Sequence, residues 1–477
     1  MSRFTQQQRN EIDDFIGIDV DTSHSEHDES FEAVSSPAVS KTDNCELVVK
    51  KDSFVLDKKT KFWDDYTIEH ELGKGSYGDV FKCIHNASGD IRAVKQIKRS
   101  KIVNHTRFIN EVTALKMMDH PNIIKMFEVY EEEEAVYLVQ ELCTGGELYD
   151  RIIKDEYLTE KTTARIFQQI LHSIVYSHKN KISHRDLKPE NFMFESEKED
   201  SNIKLIDFGL SKSFFKIDET SGDVGLVRMK TKAGTSLFMA PEVFSSDYSQ
   251  ACDMWSAGII LFIMLWGYPP FYGETNEEIQ KEILEGELEF DDEVWDEISA
   301  NAKDLIMKLL SSEDKRISAK EALLHPWIKE KESNILIPSI HLNRLKEFQK
   351  SKKLKKAALT YLATRTSDSD VNEEMKLFVK LDKNKDGYLT LKELREGMKD
   401  IENADEVAEI LQGVDIDNNG AINYTEFIAA TLDQKSYFSQ TKKMDDVFKV
   451  FDRDGDGVID EDEIRQLLSW TSSEGNI

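Results

Sequence analysis

Between Tyr66 and Ile97 apolar and polar residues alternate in short runs, Tyr66-Thr-Ile, Asp79-Val-Phe-Lys-Cys-Ile and Ile91-Arg-Ala-Val-Lys-Gln-Ile, set apart by turn residues. A period of two bounded in this way predicts three strands. A helix is predicted around Phe108 to Met118, and two more short strands at Met126 to Tyr130 and Val136 to Gln140. Beyond Gly145-Gly146 the pattern turns helical to Ile328, apart from a mixed stretch at 182 to 210. The longest apolar run, Ala257 to Gly267, is about half of the roughly 20 residues a membrane span needs, which makes it a buried core helix. The expectation is an α+β unit with a small β-rich lobe and a larger helical lobe.

Two regions flank this unit. Residues 1 to about 60 are polar, acidic and without a sustained period, so most of that arm is expected to be disordered. From Leu342 to Leu362 two apolar patches, Leu342, Leu345 and Phe348, then Leu354, Ala358, Tyr361 and Leu362, enclose a lysine cluster. This predicts one basic amphipathic helix, of the kind that offers anchors to a groove opened by calcium. Further on, Met375, Phe378, Val379 and Leu381, then Leu394 and Met398, read as amphipathic helices on either side of an acidic loop.

That loop runs Asp382-Lys-Asn-Lys-Asp-Gly-Tyr-Leu-Thr-Leu-Lys-Glu393. An EF-hand takes oxygen ligands from loop positions 1, 3, 5 and 7, turns on a Gly at 6 and closes with a bidentate Glu at 12. Asp382, Asn384, Asp386, the carbonyl of Tyr388 and Glu393 fill those places. Asp415, Asp417, Asn419, the carbonyl of Ala421 and Glu426 repeat them, as do Asp452, Asp454, Asp456, the carbonyl of Val458 and Glu463. Leu389, Ile422 and Ile459 stand at position 8, where a short strand pairs with its neighbour. Only 14 residues follow Glu463, too few for a fourth loop, so Ile459 has no partner strand within this sequence.

Charge agrees with a cation-binding tail. The 62 Lys and Arg face 91 Asp and Glu, a net charge of −29, which excludes nucleic acid or a polybasic membrane anchor as the general theme. From Val371 to Ile477 there are 25 acidic and 13 basic side chains, whereas residues 340 to 360 hold seven basic and one acidic. Cys45, Cys83, Cys143 and Cys252 form no CxxC pair, so a reducing cytoplasm is expected rather than a disulfide framework. No apolar leader is visible, and Ser2 stands where N-myristoylation needs Gly.

The chemistry lies between the arm and the basic helix. Leu72, Gly73, Lys74, Gly75, Ser76, Tyr77, Gly78 and Val80 include a G-x-G-x-x-G-x-V run, whose glycines let backbone close over nucleotide phosphates. Ala93-Val-Lys95 follows on a strand, placing a lysine for the α- and β-phosphates, and Glu111 on the next helix can hold it. His184-Arg-Asp-Leu-Lys-Pro-Glu-Asn191 supplies Asp186 to accept a hydroxyl proton and Asn191 to hold magnesium. Asp207-Phe-Gly209 adds the second magnesium ligand, and Ala240-Pro-Glu242 closes the activation segment.

With these motifs, residues 66 to 328 resemble a eukaryotic protein kinase domain, and with the tail the chain resembles the calcium-dependent protein kinases of plants and protists. The resemblance implies a bilobal kinase fold followed by an all-α EF-hand domain at 368 to 477, joined by an autoinhibitory junction at 333 to 366. It implies ATP, Mg2+ and Ca2+ as cofactors, Lys188 on the transferring phosphate, Asp253 bracing the catalytic loop and Glu242 paired with Arg316. Val80, Ala93 and Met193 would sandwich the adenine, with Glu141 and Cys143 as hinge. Glu147, assisted by Glu190, would select an Arg three residues before the phosphoacceptor, while Ile263 weakens any demand at two residues before. Gln140 at the gatekeeper and Ser236-Leu237-Phe238 depart from the family pattern. Arg185 calls for nearby negative charge, which the sequence assigns either to Asp218, Glu219 and Asp223 or to a phosphorylated Thr231.

The implied activity is a calcium-activated serine/threonine kinase acting on proteins with an upstream basic residue. It is expected to be mostly monomeric, with the third hand as a point of association. The implied switch is a basic helix that blocks the cleft or holds the lobes inactive until the hands bind it. A calcium-responsive pseudokinase scaffold is the alternative, opposed by the intact Lys95, Asp186, Asn191 and Asp207.

Overall fold

The computed structural model describes residues 55–433 and Val447, apart from 59, 75–77, 103–107, 109–111, 114, 156–157, 209–210, 218–223, 291–292, 330–335, 352, 369 and 399–403. The alternating runs form strands β2 (Tyr66–Lys74), β3 (Asp79–His85) and β4 (Ile91–Lys98), and the two that follow are β5 (Met126–Glu131) and β6 (Ala135–Gln140). Before them a short strand, β1 (Leu56–Lys58), runs parallel to β5 at the sheet edge, so the sheet begins inside the stretch expected to be disordered. The order is β1-β5-β6-β4-β3-β2, antiparallel except for β1. Period-two alternation sends Tyr66, Val94, Tyr130 and Tyr137 to a cluster on one face, which Phe62 joins from the short helix before β2. It sends Ile97, Val136 and Leu138 to the main core on the other.

The larger lobe is built on α1 (Glu160–Lys179) and α2 (Ala251–Trp266). Thr159 caps α1 by accepting the Thr162 N–H. All but two residues of α2 are buried, as its uninterrupted apolar run predicts. It stops at Gly267, whose φ of 89° is left-handed. No helix among the described residues is long and apolar enough to cross a membrane. Short strands β7 (Ile182–Ser183), β8 (Phe192–Phe194) and β9 (Ile203–Leu205) carry the catalytic loop between the lobes.

The single basic helix expected at 342 to 362 is instead two, α3 (Ser339–Gln349) and α4 (Lys353–Arg365). Of the second apolar patch, Ala358, Tyr361 and Leu362 are buried, but outside the core that takes Leu345 and Phe348 of the first. Leu345, Phe348, Leu359 and Ala363 are buried together with side chains of α5 (Asn372–Leu381), α6 (Leu391–Gly397), α7 (Ala404–Val414) and α8 (Tyr424–Thr431). Each such large apolar side chain contributes roughly 1.5–3 kcal/mol. Between the helix pairs, β10 (Tyr388–Leu389) and β11 (Ile422–Asn423) are antiparallel, with Leu389 opposite Ile422, as position 8 of each loop predicts.

Candidate functional site

Asp253, in the first turn of α2, organises the catalytic loop. Its carboxylate accepts from Ser183 Oγ at 2.9 Å, His184 N at 2.9 Å, Arg185 N at 2.8 Å, and pairs with His178 Nε2 at 2.8 Å. Burial pushes this carboxyl up, but those partners outweigh it and leave it below the usual range. The pairing holds Arg185 at φ 66°, a left-handed conformation that costs a non-glycine residue about 1–2 kcal/mol. Gly234 approaches the same turn at φ 117°, where a Cβ would stand 2.6 Å from Arg185 O.

The turn delivers Asp186. Its Oδ1 accepts from both the backbone N–H and the hydroxyl of Thr235, each at 2.9 Å, and its Oδ2 lies 3.4 Å from Lys188 Nζ. Asn191 Nδ2 donates to Asp186 O at 2.7 Å, so both ends of the motif are locked together. Across the cleft Lys95 Nζ is 3.4 Å from Asp207 Oδ1, with Asp207 itself at φ 58°. Val80 lies opposite Lys95 in the β3–β4 register, and Ala93 opposite Gln140 between β4 and β6. Leu72, Gly73 and Lys74 end β2, with Gly78 at the other side of the glycine-rich turn. Cys143 is a buried free thiol beyond Glu141, and Met193 bridges to Glu147. Gly75, Ser76, Tyr77 and Glu111 lie outside the described residues.

Two further charges bear on this site. Arg185 Nη1 donates to Thr231 Oγ1 at 2.9 Å and to Tyr248 OH at 3.2 Å, whereas Asp218, Glu219 and Asp223 lie outside the described residues. Arg316 grips Glu242 through both nitrogens, at 2.5 and 3.1 Å. Near Lys188, burial and then Asp150 and Glu190 push the Glu147 carboxyl up. Glu190 Oε2 is buried without a hydrogen-bond partner among the described residues, which leaves an acidic spot with unused acceptor capacity.

The calcium loops repeat one wiring. Asp382 Oδ2 accepts the Gly387 N–H, and Asp415 Oδ2 the Gly420 N–H, both at 2.8 Å. Thr390 with Glu393, and Asn423 with Glu426, form capping boxes that start α6 and α8. Oxygens of Asp415, Asp417 and Glu426 lie within 4.8 Å of one another. Burial, then Asp415, raises Asp417 to about 6, and burial, then Asp417, drives Glu426 well above its usual range. Burial likewise lifts Asp382 to about 7. Oxygens crowded in this way fit a hard divalent cation, whose charge removes the mutual repulsion. Gly420 turns at φ 85° with open space around it, whereas Gly387 turns at φ 80° against the ring of Tyr176. Asp452, Asp454, Asp456, Val458 and Glu463 lie outside the described residues.

A seam that sequence reasoning missed joins sensor to kinase. Asp368, following α4, accepts from Lys125 Nζ at 2.6 Å, from Tyr424 OH at 2.8 Å, and from Lys204 Nζ. Lys204 also lies 3.2 Å from Glu141, just past the end of β6. Burial would raise the Asp368 carboxyl, yet the two lysines hold it far below the usual range. Arg365 pairs with Glu128 at 3.4 Å and lies over the Phe127 ring. Asp119 accepts from Thr425 N at 2.9 Å and Thr425 Oγ1 at 2.7 Å, serving the first turn of α8 from the kinase side. The available signal was Lys125, alone in the apolar run Ile123-Ile-Lys-Met-Phe127, since an unpaired lysine is rarely buried.

Comparison with known proteins accords with this geometry. The family model "Protein kinase domain" matches residues 66–328, "EF-hand domain pair" matches 372–432 and "EF-hand domain" matches 443–475. Calcium-dependent protein kinase 5 of Plasmodium falciparum (isolate 3D7) is 42% identical over 427 residues, covering 88% of this chain and 73% of the relative. Calcium-dependent protein kinase 3 of Plasmodium berghei (strain Anka) is 40% identical over 432 residues, 89% and 76% of the two chains. Calcium-dependent protein kinase 4 of P. falciparum is 41% identical over 449 residues, 88% and 83%. With a kinase cleft, two EF-hand loops and relatives alike over most of their length, the chain belongs to the calcium-dependent protein kinases.

Proposed function

We propose that this enzyme transfers the γ-phosphate of ATP to serine or threonine in proteins that carry a basic residue upstream, and that calcium on its own EF-hands switches it on. The observation that carries the reading is the convergence of Asp186, Lys188 and Thr235 on one point, with Asn191 bonded to the Asp186 carbonyl and Asp207 paired with Lys95. Asp186 orients the attacking hydroxyl and accepts its proton. Lys188 meets the phosphoryl oxygens, and Lys95 holds the α- and β-phosphates. Val80, Ala93 and Met193 take the adenine between the lobes, and Glu141 and Cys143 offer hinge backbone. Magnesium held by Asn191 and Asp207 supplies positive charge where phosphate charge develops. Glu147 and Glu190 receive the substrate's arginine.

For the switch, calcium removes the repulsion among loop carboxylates and biases the position of the sensor, which already buries α3 and α4. A cytoplasmic, mostly monomeric protein is part of the same reading, with the third hand as its point of association. The test is phosphotransfer from magnesium-ATP to a basic peptide, with calcium and with a chelator. Activity is expected only with calcium, and Asp186→Ala and Lys95→Met abolish it while the protein stays folded. Loss of proton acceptance alone costs about 10² to 10⁴ in rate. Substantial turnover by either variant removes the active-site assignment, and equal activity with chelator removes the switch.

A further inference from the structure

The first calcium loop is pressed against the kinase domain at three consecutive positions. At position 5, Asp386 Oδ2 accepts from Lys179 Nζ, in the last turn of α1, at 2.7 Å. At position 6, Gly387 approaches Tyr176 so closely that a Cβ would stand 2.3 Å from its ring. At position 7, the Tyr388 ring stacks on Tyr176 with centroids 5.7 Å apart at 21°, takes Lys179 Nζ over its face at 3.8 Å, and donates its hydroxyl to Asn180 Oδ1 at 3.2 Å. An aromatic seat therefore fixes the loop, and a lysine from another domain is bonded to one of its calcium ligands. The second loop has uncharged Asn419 at position 5, with no carboxylate to draw such a lysine.

We propose that Lys179 of the kinase domain is an affinity-determining residue of the first calcium site: paired with Asp386, it weakens calcium binding there, and the docked kinase thereby raises the calcium concentration at which this hand fills. The inference rests on the reading of 382–393 as a calcium loop. Its physics is mutual exclusion of positive charge. The attraction between Lys179 and the loop is greatest before a divalent ion arrives and falls when the ion shares Asp386. By linkage, whatever calcium takes from the ion pair, the ion pair takes from calcium affinity. Two hands built from the same loop pattern thus acquire different thresholds, and the difference comes from outside the hand.

The test uses the full-length protein. Tyr388 is the sole aromatic at position 7 of the three loops, because the others have Ala421 and Val458, but Tyr424 stands at position 10 of the second, so the first site is read as the component of the tyrosine-sensitised terbium luminescence that depends on Glu393. Calcium displacement of terbium then gives its affinity for calcium. Lys179→Gln keeps the side chain's length and polarity without its charge, and is expected to tighten the site roughly three- to tenfold at low ionic strength. Lys179→Arg is expected to keep wild-type affinity, and salt should shrink the gap between wild type and Lys179→Gln. Glu393→Gln serves as the control for the loop. If it removes a component of the signal while Lys179→Gln binds calcium no more tightly than wild type, the inference is overturned. If Glu393→Gln leaves the signal intact, the calcium-loop reading falls, and the inference with it.

Discussion

Asp368→Asn is the substitution that most directly tests how the sensor is fastened to the kinase. Asp368 is almost fully buried between Lys125 and Lys204, and Lys204 has no exposed side-chain surface. The amide fills the same space but leaves two buried ammonium groups sharing the remaining acceptors. Breaking a buried pair on one side costs about 3–5 kcal/mol. Neutralising a lysine of ordinary pKa near 10.4 at pH 7 takes roughly 4–5 kcal/mol at 1.36 kcal/mol per unit, which sets a similar ceiling. Urea unfolding followed at two wavelengths, with proteolysis at the 366–371 linker, is expected to show sensor release well before the kinase unfolds. Asp368→Leu with Lys125→Met and Lys204→Met is expected to recover most of the loss, because buried ion pairs are often replaceable by apolar groups. Since the folded Asp368 carboxyl is held low, its contribution is complete above the unfolded value near 3.9 and disappears as pH falls through the lower folded one. Lys204, held high, contributes below about 10.4 and loses its effect above its folded value. The latch is therefore expected to be flat in pH between about 4 and 10. An Asp368→Asn protein within about 1 kcal/mol of wild type would refute the reasoning, because even a surface pair reaches that much.

Two other substitutions test the proposed specificity and the switch. Glu147→Gln is expected to reduce the preference for arginine three residues before the phosphoacceptor on a peptide array, while leaving ATP KM unchanged; an identical array profile would assign that selection elsewhere. Glu393→Gln and Glu426→Gln each remove a bidentate ligand's charge and are expected to move half-activation out of the sensor range of roughly 10⁻⁷ to 10⁻⁵ M, read as kinase activity against buffered calcium. If both keep the wild-type curve, the first two hands are not the switch.

The parts that could be read from the chain are those whose signal is local. Strand alternation, the loop ligands and the opposition of Leu389 to Ile422 all follow from spacings of a few residues. Asp186, Asn191 and Asp207 are ordered by motifs within single turns. The seam was not legible because its partners are remote in sequence: Lys125 with Asp368, Asp119 with Thr425, Lys179 with Asp386. None of these pairings belongs to a period: Asp386 reads only as a loop ligand, Thr425 is uncharged, and Lys125, though conspicuous in its apolar run, does not name its partner. The break between α3 and α4 escaped for a related reason. The apolar pattern marks residues for burial but not that Leu359 and Ala363 of α4, rather than Ala358, Tyr361 and Leu362, join the core that takes Leu345 and Phe348.

The two glycines at position 6 place different limits on how the two loops can diverge. Gly420 turns with nothing within 4 Å of where a Cβ would be, so asparagine, which tolerates a left-handed backbone, is an open route for mutation there. Gly387 needs the same turn, but the Tyr176 ring occupies the space of any side chain. A lineage that loses glycine from the first loop must either part from the kinase surface or change Tyr176 as well. Drift at position 6 should therefore be free in one hand and, in the other, tied to a residue some two hundred positions earlier in the chain.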